Sequence, residues 1–261
     1  MPHYFSIWGM SLIEDVVKDF YEKEATIYEE TRFKTSHGIY VDCIQKSTVF
    51  KLIGNCKGKR ILEIGSGTGR FTRELLKLGS EVVCIDLSRK MHEQSRAHTL
   101  LGSDDADYFL MDGSYLGFAN NSFDVCVIIN VMSHIHDNSQ TLGEIRRILK
   151  NGGFVIANFP NMCGFYFPIG FLVNFFGRSL QMPVYSKWYS ARSIFSLINY
   201  LGLNPVRLIG HMVFPKKNCP EGFFNLLKSL DNILKDSFLA LMCGDLFLKA
   251  IKKNLDFDLQ K

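Results

Sequence analysis

The chain has 261 residues, 47% hydrophobic and 13% aromatic with 22 Phe, enough to bury a large core and to exclude a disordered chain. Lys and Arg total 30 against 26 Asp and Glu, a net +4 without a basic block, so no nucleic-acid partner is expected. The seven Cys form no Cys-x-x-Cys pair, which excludes the usual zinc and redox motifs and fits a reducing, cytoplasmic setting.

The first residues, MPHYFSIWGMSLIEDVV, lack a basic start and carry Glu14 and Asp15 early, unlike a signal peptide. Residues 11–33 space Leu12, Val16 and Phe20 as one helix does, and residues 41–53 read as another. From residue 60 strands alternate with helices. Strands are expected at 60–64, 81–85, 106–111, 123–130 and 154–158, with helices at 71–78, 90–101 and 141–149 between them. The run FDVCVIIN at 123–130 is almost continuously apolar, as a strand buried on both faces would be. Residues 160–187 are rich in Phe, Gly and Pro and lack a period. Regularity returns with a helix at 190–201, a strand at 206–214, a helix at 222–234 and a strand at 246–251. The most apolar stretch, 162–176, is broken by Pro168 and Asn174 and is shorter than the roughly 20 residues of a membrane span.

This order predicts an α/β fold: a doubly wound, mostly parallel sheet with helices on both faces and a small cap. Ligands of such sheets bind at the edge where the strand C-termini lie. There the sequence carries its strongest motif, Ile61-Leu62-Glu63-Ile64-Gly65-Ser66-Gly67-Thr68-Gly69. Glycine allows a tight turn and close approach of a ligand to the main chain, and the following helix offers free N–H groups. A dinucleotide loop would place its third glycine at position 70, which is Arg70. The Gly-x-Gly-x-Gly spacing favours S-adenosylmethionine instead. Asp86 ends the second strand 19 residues after Gly67, where a carboxylate can accept from both ribose hydroxyls. Asp112, before Gly113 at the end of the third strand, is placed to meet an adenine amino group or simply to make a turn.

The segments ILEIGSGTGRFT (61–72), VVCIDLS (82–88), MDGSYLGFANNSFDVCVI (111–128), NVMSHIHD (130–137) and EIRRILKNGGFVIANFP (144–160) resemble class I S-adenosylmethionine-dependent methyltransferases. Within that superfamily the chain is similar to the menaquinone/ubiquinone-type enzymes that act on small molecules. The resemblance implies one methyltransferase domain over 1–261, built on a seven-stranded Rossmann-like sheet with an antiparallel last strand, and an N-terminal helical lid at 11–53; the aromatic-rich stretch 160–187, by its composition and its place after the fifth strand, reads as a cap insertion. The resemblance also implies that Glu63, Gly65, Ser66 and Gly67 flank the methionine part of the cofactor, with Gly69 also in the cofactor-binding loop. Asp86 would bind the ribose, Leu87 and Met91 would lie near the adenine, Asp112 and Gly113 would meet its edge, and Asn130 and Val131 would sit beside the sulfonium. Tyr21 and Tyr28, on the lid, would face the substrate or pack between helices.

Methyl transfer needs alignment and exclusion of water more than acid–base chemistry. A base is required only if the acceptor must lose a proton, and His134 is the candidate. The relatives often carry His-His where this chain has Ser133-His134, which weakens the transfer of that role. His134, His136 and Asp137 lack further ligands in sequence, so no metal is expected. The leading expectation is methyl transfer to a small apolar or aromatic acceptor held in a mostly apolar pocket under residues 160–187. A peripheral membrane contact by that stretch stays open. The alternatives are a protein or RNA methyltransferase, and a non-catalytic cofactor-binding partner. The sequence does not set the oligomeric state.

Overall fold

The computed structural model describes residues 7–99, 105–164, 186–211 and 221–253. Three N-terminal helices, α1 (Ile7–Glu24), α2 (Tyr28–Phe33) and α3 (Ser36–Ile53), precede the alternating part. There follow β1 (Arg60–Ile64), α4 (Thr72–Lys77), β2 (Glu81–Asp86), α5 (Arg89–Thr99), β3 (Asp107–Leu110), β4 (Phe123–Ile128), α6 (Asn138–Ile148) and β5 (Leu149–Pro160). The described chain resumes with α7 (Ala191–Tyr200), β6 (Leu203–His211), α8 (Glu221–Leu234), a short 3-10 helix (Phe238–Met242) and β7 (Asp245–Lys252).

The seven strands form one sheet in the order β3-β2-β1-β4-β5-β7-β6, with β7 antiparallel to both neighbours. Alternation along each strand explains the two cores. Leu62, Ile64, Val83, Ile85, Cys126 and Ile128 pack on one face with Leu142, Ile145 and Ile148 of α6. Ile61, Val82, Cys84, Val125 and Val127 pack on the other with α3 and α4. Strand order reverses between β1 and β4, so the loops after β1 and β4 diverge and open a crevice at that edge.

Three differences from the sequence reading matter. The single helix expected at 11–33 is two, separated at residues 25–27, where Ala25 is buried and Ile27 N–H donates to the Glu24 carbonyl (3.0 Å). The third helix starts at Ser36, not residue 41, because Thr35 caps it by accepting from Gly38 N–H (3.0 Å). Strand β5 is longer than expected, since Leu149 already pairs with Phe123 across an irregularity in the register. The cap expected at 160–187 lies outside the described residues from 165 to 185. Among the described residues no helix is long and apolar enough to cross a membrane.

Candidate functional site

The loop after β1 is held open by its own glycines. Gly65, Gly67 and Gly69 have φ of +66°, +54° and +79°, the left-handed region that side chains rarely adopt. Their surroundings differ. A Cβ on Gly65 would come within 2.3 Å of Val131, and one on Gly69 within 2.2 Å of the Ser95 hydroxyl, whereas one on Gly67 would meet nothing within 4 Å. The open side of Gly67 faces a cavity of about 120 Å³. Asp86 closes that cavity from β2. Its Oδ2 accepts from Gly67 N–H and its Oδ1 from Ser88 N–H, both at 2.9 Å, which leaves further lone pairs on each oxygen. Burial pushes the Asp86 carboxyl up, against the backbone donors that hold it down.

Leu87, Met91, Asp112, Gly113, Asn130 and Val131 line the same cavity, as do Tyr21, Tyr28 and His134. Glu63 and Ser66 open instead onto a recess of about 30 Å³ on the far side of the loop, shared with Arg70. Glu63 is fully enclosed and accepts from the Thr72 hydroxyl at 2.6 Å. Burial raises its carboxyl to about 7, opposed by Thr72 and by the Arg70 and Arg73 charges. Gly69 lines neither space, and its place in the loop follows from packing against Ser95.

The N-terminal helices are fastened across this edge at three points. Glu22 of α1 accepts from the Ser88 hydroxyl and from Lys90 N–H, beyond β2. Glu29 of α2 accepts from the Thr68 hydroxyl (2.7 Å) and Arg73 (3.0 Å), beyond β1. Asp42 of α3 accepts from Arg70 Nε at 2.8 Å. These anchors bring Tyr21 and Tyr28 over the cavity, their rings 6.0 Å apart and tilted edge to face. The Tyr21 hydroxyl shares a hydrogen bond of 2.9 Å with His134 Nε2, and burial pushes the phenol up so that it keeps its proton.

Tyr21, Tyr28, Asn130 and His134 also line a second cavity, of about 400 Å³, on their other side. Its walls include Phe20, Phe33 and Trp188, and its polar surface comes from Arg32, Gln45, Asn158 and Asp245. Asn130 stands in the partition with a φ of +61°, uncommon for a side chain other than glycine and a frequent sign of a working residue. The strain is held by neighbours: Asn130 N–H donates to Asn158 Oδ1 (2.6 Å), and its side-chain oxygen accepts from Asn158 Nδ2 (3.0 Å) and Gln45 Nε2 (3.1 Å).

A family model described as a methyltransferase domain matches residues 62–157. A ubiquinone biosynthesis O-methyltransferase of Ruegeria sp. (strain TM1040) is 28% identical over 165 residues, covering 60% of this chain and 65% of the relative. A demethylmenaquinone methyltransferase of Clavibacter sepedonicus is 28% identical over 140 residues, 54% of this chain and 56% of the relative. The chain therefore spans less than two thirds of the length of these relatives. The solved magnesium protoporphyrin IX methyltransferase of Synechocystis PCC 6803 with bound SAH has the same fold. Its TM-score is 0.66 at 14% identity, over 92% of this chain and 99% of that one. Residues 62–157 thus carry a methyltransferase domain, and the chain has the fold of the S-adenosylmethionine-dependent enzyme.

The chain gathers all the residues expected to hold the cofactor, except Gly69, around the first cavity and its recess. Its second cavity has aromatic walls, with polar groups from the strand ends, α2 and α3; Pro160 and Ser186 of the expected cap range also border it, and residues 165–185 lie outside the described residues. Sequence reasoning missed Gln45, Asn158 and Asp245. Asn158 left one signal, a polar residue inside the apolar run of β5, where a buried amide needs partners.

Proposed function

We propose that the chain transfers a methyl group from S-adenosylmethionine, bound in the first cavity, to a small molecule bound in the second. The observation that carries this reading is the pair of cavities meeting at one partition of Tyr21, Tyr28, Asn130 and His134. Asp86 would take the ribose hydroxyls, Leu87 and Met91 the adenine face, Asp112 and Gly113 its edge, and Glu63 with Ser66 the methionine end. The open Cβ direction of Gly67 and the spare lone pairs of Asp86 fit such a ligand. S-Adenosylmethionine, when bound, supplies a methyl group on a sulfonium that leaves as a neutral thioether, so alignment counts for more than activation.

The chain's own residues would do the rest. Asn130 and Val131 fix the edge of the partition, the two tyrosines exclude water, and His134 receives a proton if the acceptor sheds one. The Tyr21 hydroxyl occupies His134 Nε2 and holds the ring toward the partition. The helices α1 to α3 would act as the lid, through Glu22, Glu29 and Asp42. An acceptor enclosed on the lid side suits a small molecule better than a protein or RNA surface. The quinone-pathway names of two relatives support an acceptor with a ring. Calorimetry with S-adenosylmethionine and with its product S-adenosylhomocysteine tests the first half, and methyl release against a panel of small aromatic compounds tests the second. Absence of binding of either cofactor form to the folded chain would defeat the proposal.

A further inference from the structure

The second cavity ends on a buried carboxylate. Asp245 is the first residue of β7 and only 7% exposed. Asn158 Nδ2 donates to both its oxygens, at 3.1 and 2.9 Å. That amide cannot turn round, because its oxygen accepts from Asn130 N–H on the other side. Among the described residues no Lys or Arg forms an ion pair with Asp245. Its cross-strand neighbour, His211, is committed to Asp231 (2.8 Å) and Thr48 (2.6 Å). Burial raises the Asp245 carboxyl to about 6, against Asn158 and the His211 charge, so near neutrality it remains an enclosed anion without a direct counter-ion.

The rest of the cavity also favours positive charge. Phe20, Tyr21, Tyr28, Phe33 and Trp188 present aromatic surface, whose faces attract cations. The wall already holds one: the Arg32 guanidinium lies 5.0 Å from the Tyr28 ring centre and 6.0 Å from that of Phe20. Arg32 Nη2 pairs with Glu24 at 3.4 Å, and the side chain is about 30% exposed, where water screens its outer end, while its Nε is buried without a hydrogen-bond partner among the described residues. Asp245 is more enclosed and, beyond the Asn158 amide, has no direct cationic partner among the described residues, so it draws a cation more strongly than Arg32 repels one.

We propose that the acceptor of this site carries a protonated amine, anchored by Asp245 with its ring or chain against the aromatic wall. This rests on the methyltransferase reading for the word acceptor, but the binding claim can be tested apart from it. The full chain is titrated by calorimetry with 2-phenylethylamine, 2-phenylethanol and phenylacetate, with and without S-adenosylhomocysteine. The amine is expected to bind at least about tenfold tighter than the alcohol, the size of one charge-assisted hydrogen bond, and the acid weakest. Asp245→Asn, shown to be folded by a cooperative thermal melt, should erase that advantage while S-adenosylhomocysteine affinity stays as in the parent. An alcohol or acid that binds as tightly as the amine, an amine with no measurable binding at millimolar concentration, or an amine preference that survives Asp245→Asn each overturns the proposal. If the variant fails to fold, the ranking of the three ligands on the parent chain decides. Failure of S-adenosylhomocysteine to bind would strike the methyltransferase reading, and the amine preference would still be read in its absence.

Discussion

Replacing Asp86 by alanine removes two things at once. The first is the acceptor for any ribose diol in the 120 Å³ cavity; the second is the fastening of the loop itself, through Gly67 N–H and Ser88 N–H at 2.9 Å each. A hydrogen bond to a charged group contributes about 1.5–3 kcal/mol, so losing the ribose contact alone should weaken S-adenosylmethionine binding roughly ten- to a hundredfold. The carboxylate is buried and its ionisation is opposed by burial, so the cost of the charge is borne without ligand and repaid when hydroxyls donate to it. Asp86→Asn keeps the size but only one accepting oxygen, so it retains one of the two loop bonds. We expect both variants to lose affinity, and the alanine variant to lose more thermal stability than the asparagine variant. Calorimetry with S-adenosylhomocysteine alongside a thermal melt reads both. Unchanged affinity in a folded Asp86→Ala chain would refute the ribose assignment.

Gly67→Val should abolish cofactor binding, because the side chain would grow into the ligand space and the backbone at +54° disfavours it; normal binding in the variant would show that this loop does not hold the cofactor. Glu63 binds its proton more tightly folded than unfolded, so its contribution is full below the ordinary value of 4.5 and is lost as pH rises through about 7. A shift of that size corresponds to about 3 kcal/mol, and denaturant unfolding of the parent and Glu63→Gln across pH 5 to 8 should diverge by that order; parallel curves would contradict it. Glu29→Gln should cost under about 1 kcal/mol of stability, as a partly exposed pair does, yet should speed S-adenosylhomocysteine dissociation in stopped flow by loosening α2 from Thr68 and Arg73. An unchanged off-rate would remove α2 from any lid role.

The parts legible in the sequence are those whose physics is local. The apolar runs of β1, β2 and β4 had to be buried strands, and the glycine loop between β1 and α4 had to approach something closely. Asp86 was readable because a carboxylate at a strand end in a parallel sheet faces the ligand edge. The misplaced elements have tertiary causes. The break between α1 and α2 has no proline or glycine to announce it; Glu22 and Glu29 reach different loops, and that tethering overrides the helical spacing. Gly69 shares the pattern of Gly67 but meets Ser95, a contact that depends on how α5 packs. Gln45, Asn158 and Asp245 lie far apart in the chain and converge on Asn130 only through sheet pairing and the docking of α3.

That convergence follows from the one strand that runs backwards. In β1 to β5 the last residues reach the ligand edge, so Asp86, Asn130 and Asn158 stand at or near strand ends. Strand β7 pairs antiparallel with β5, placing Asp245 opposite Pro160 and its first residues at the same edge. The sheet thereby divides the site. The ends of β1, β2 and β3 furnish the first cavity, the end of β5 and the start of β7 furnish the floor of the second, and the residues after β4 border both. Asn130 couples the halves, because its strained backbone is held by Asn158 on the acceptor side while its side chain is in the partition. Substitutions at Asp245 should therefore change what the second cavity accepts without touching Asp86 or the glycine loop. Substitutions at Asn158 should disturb both cavities, since they release Asn130 as well as Asp245.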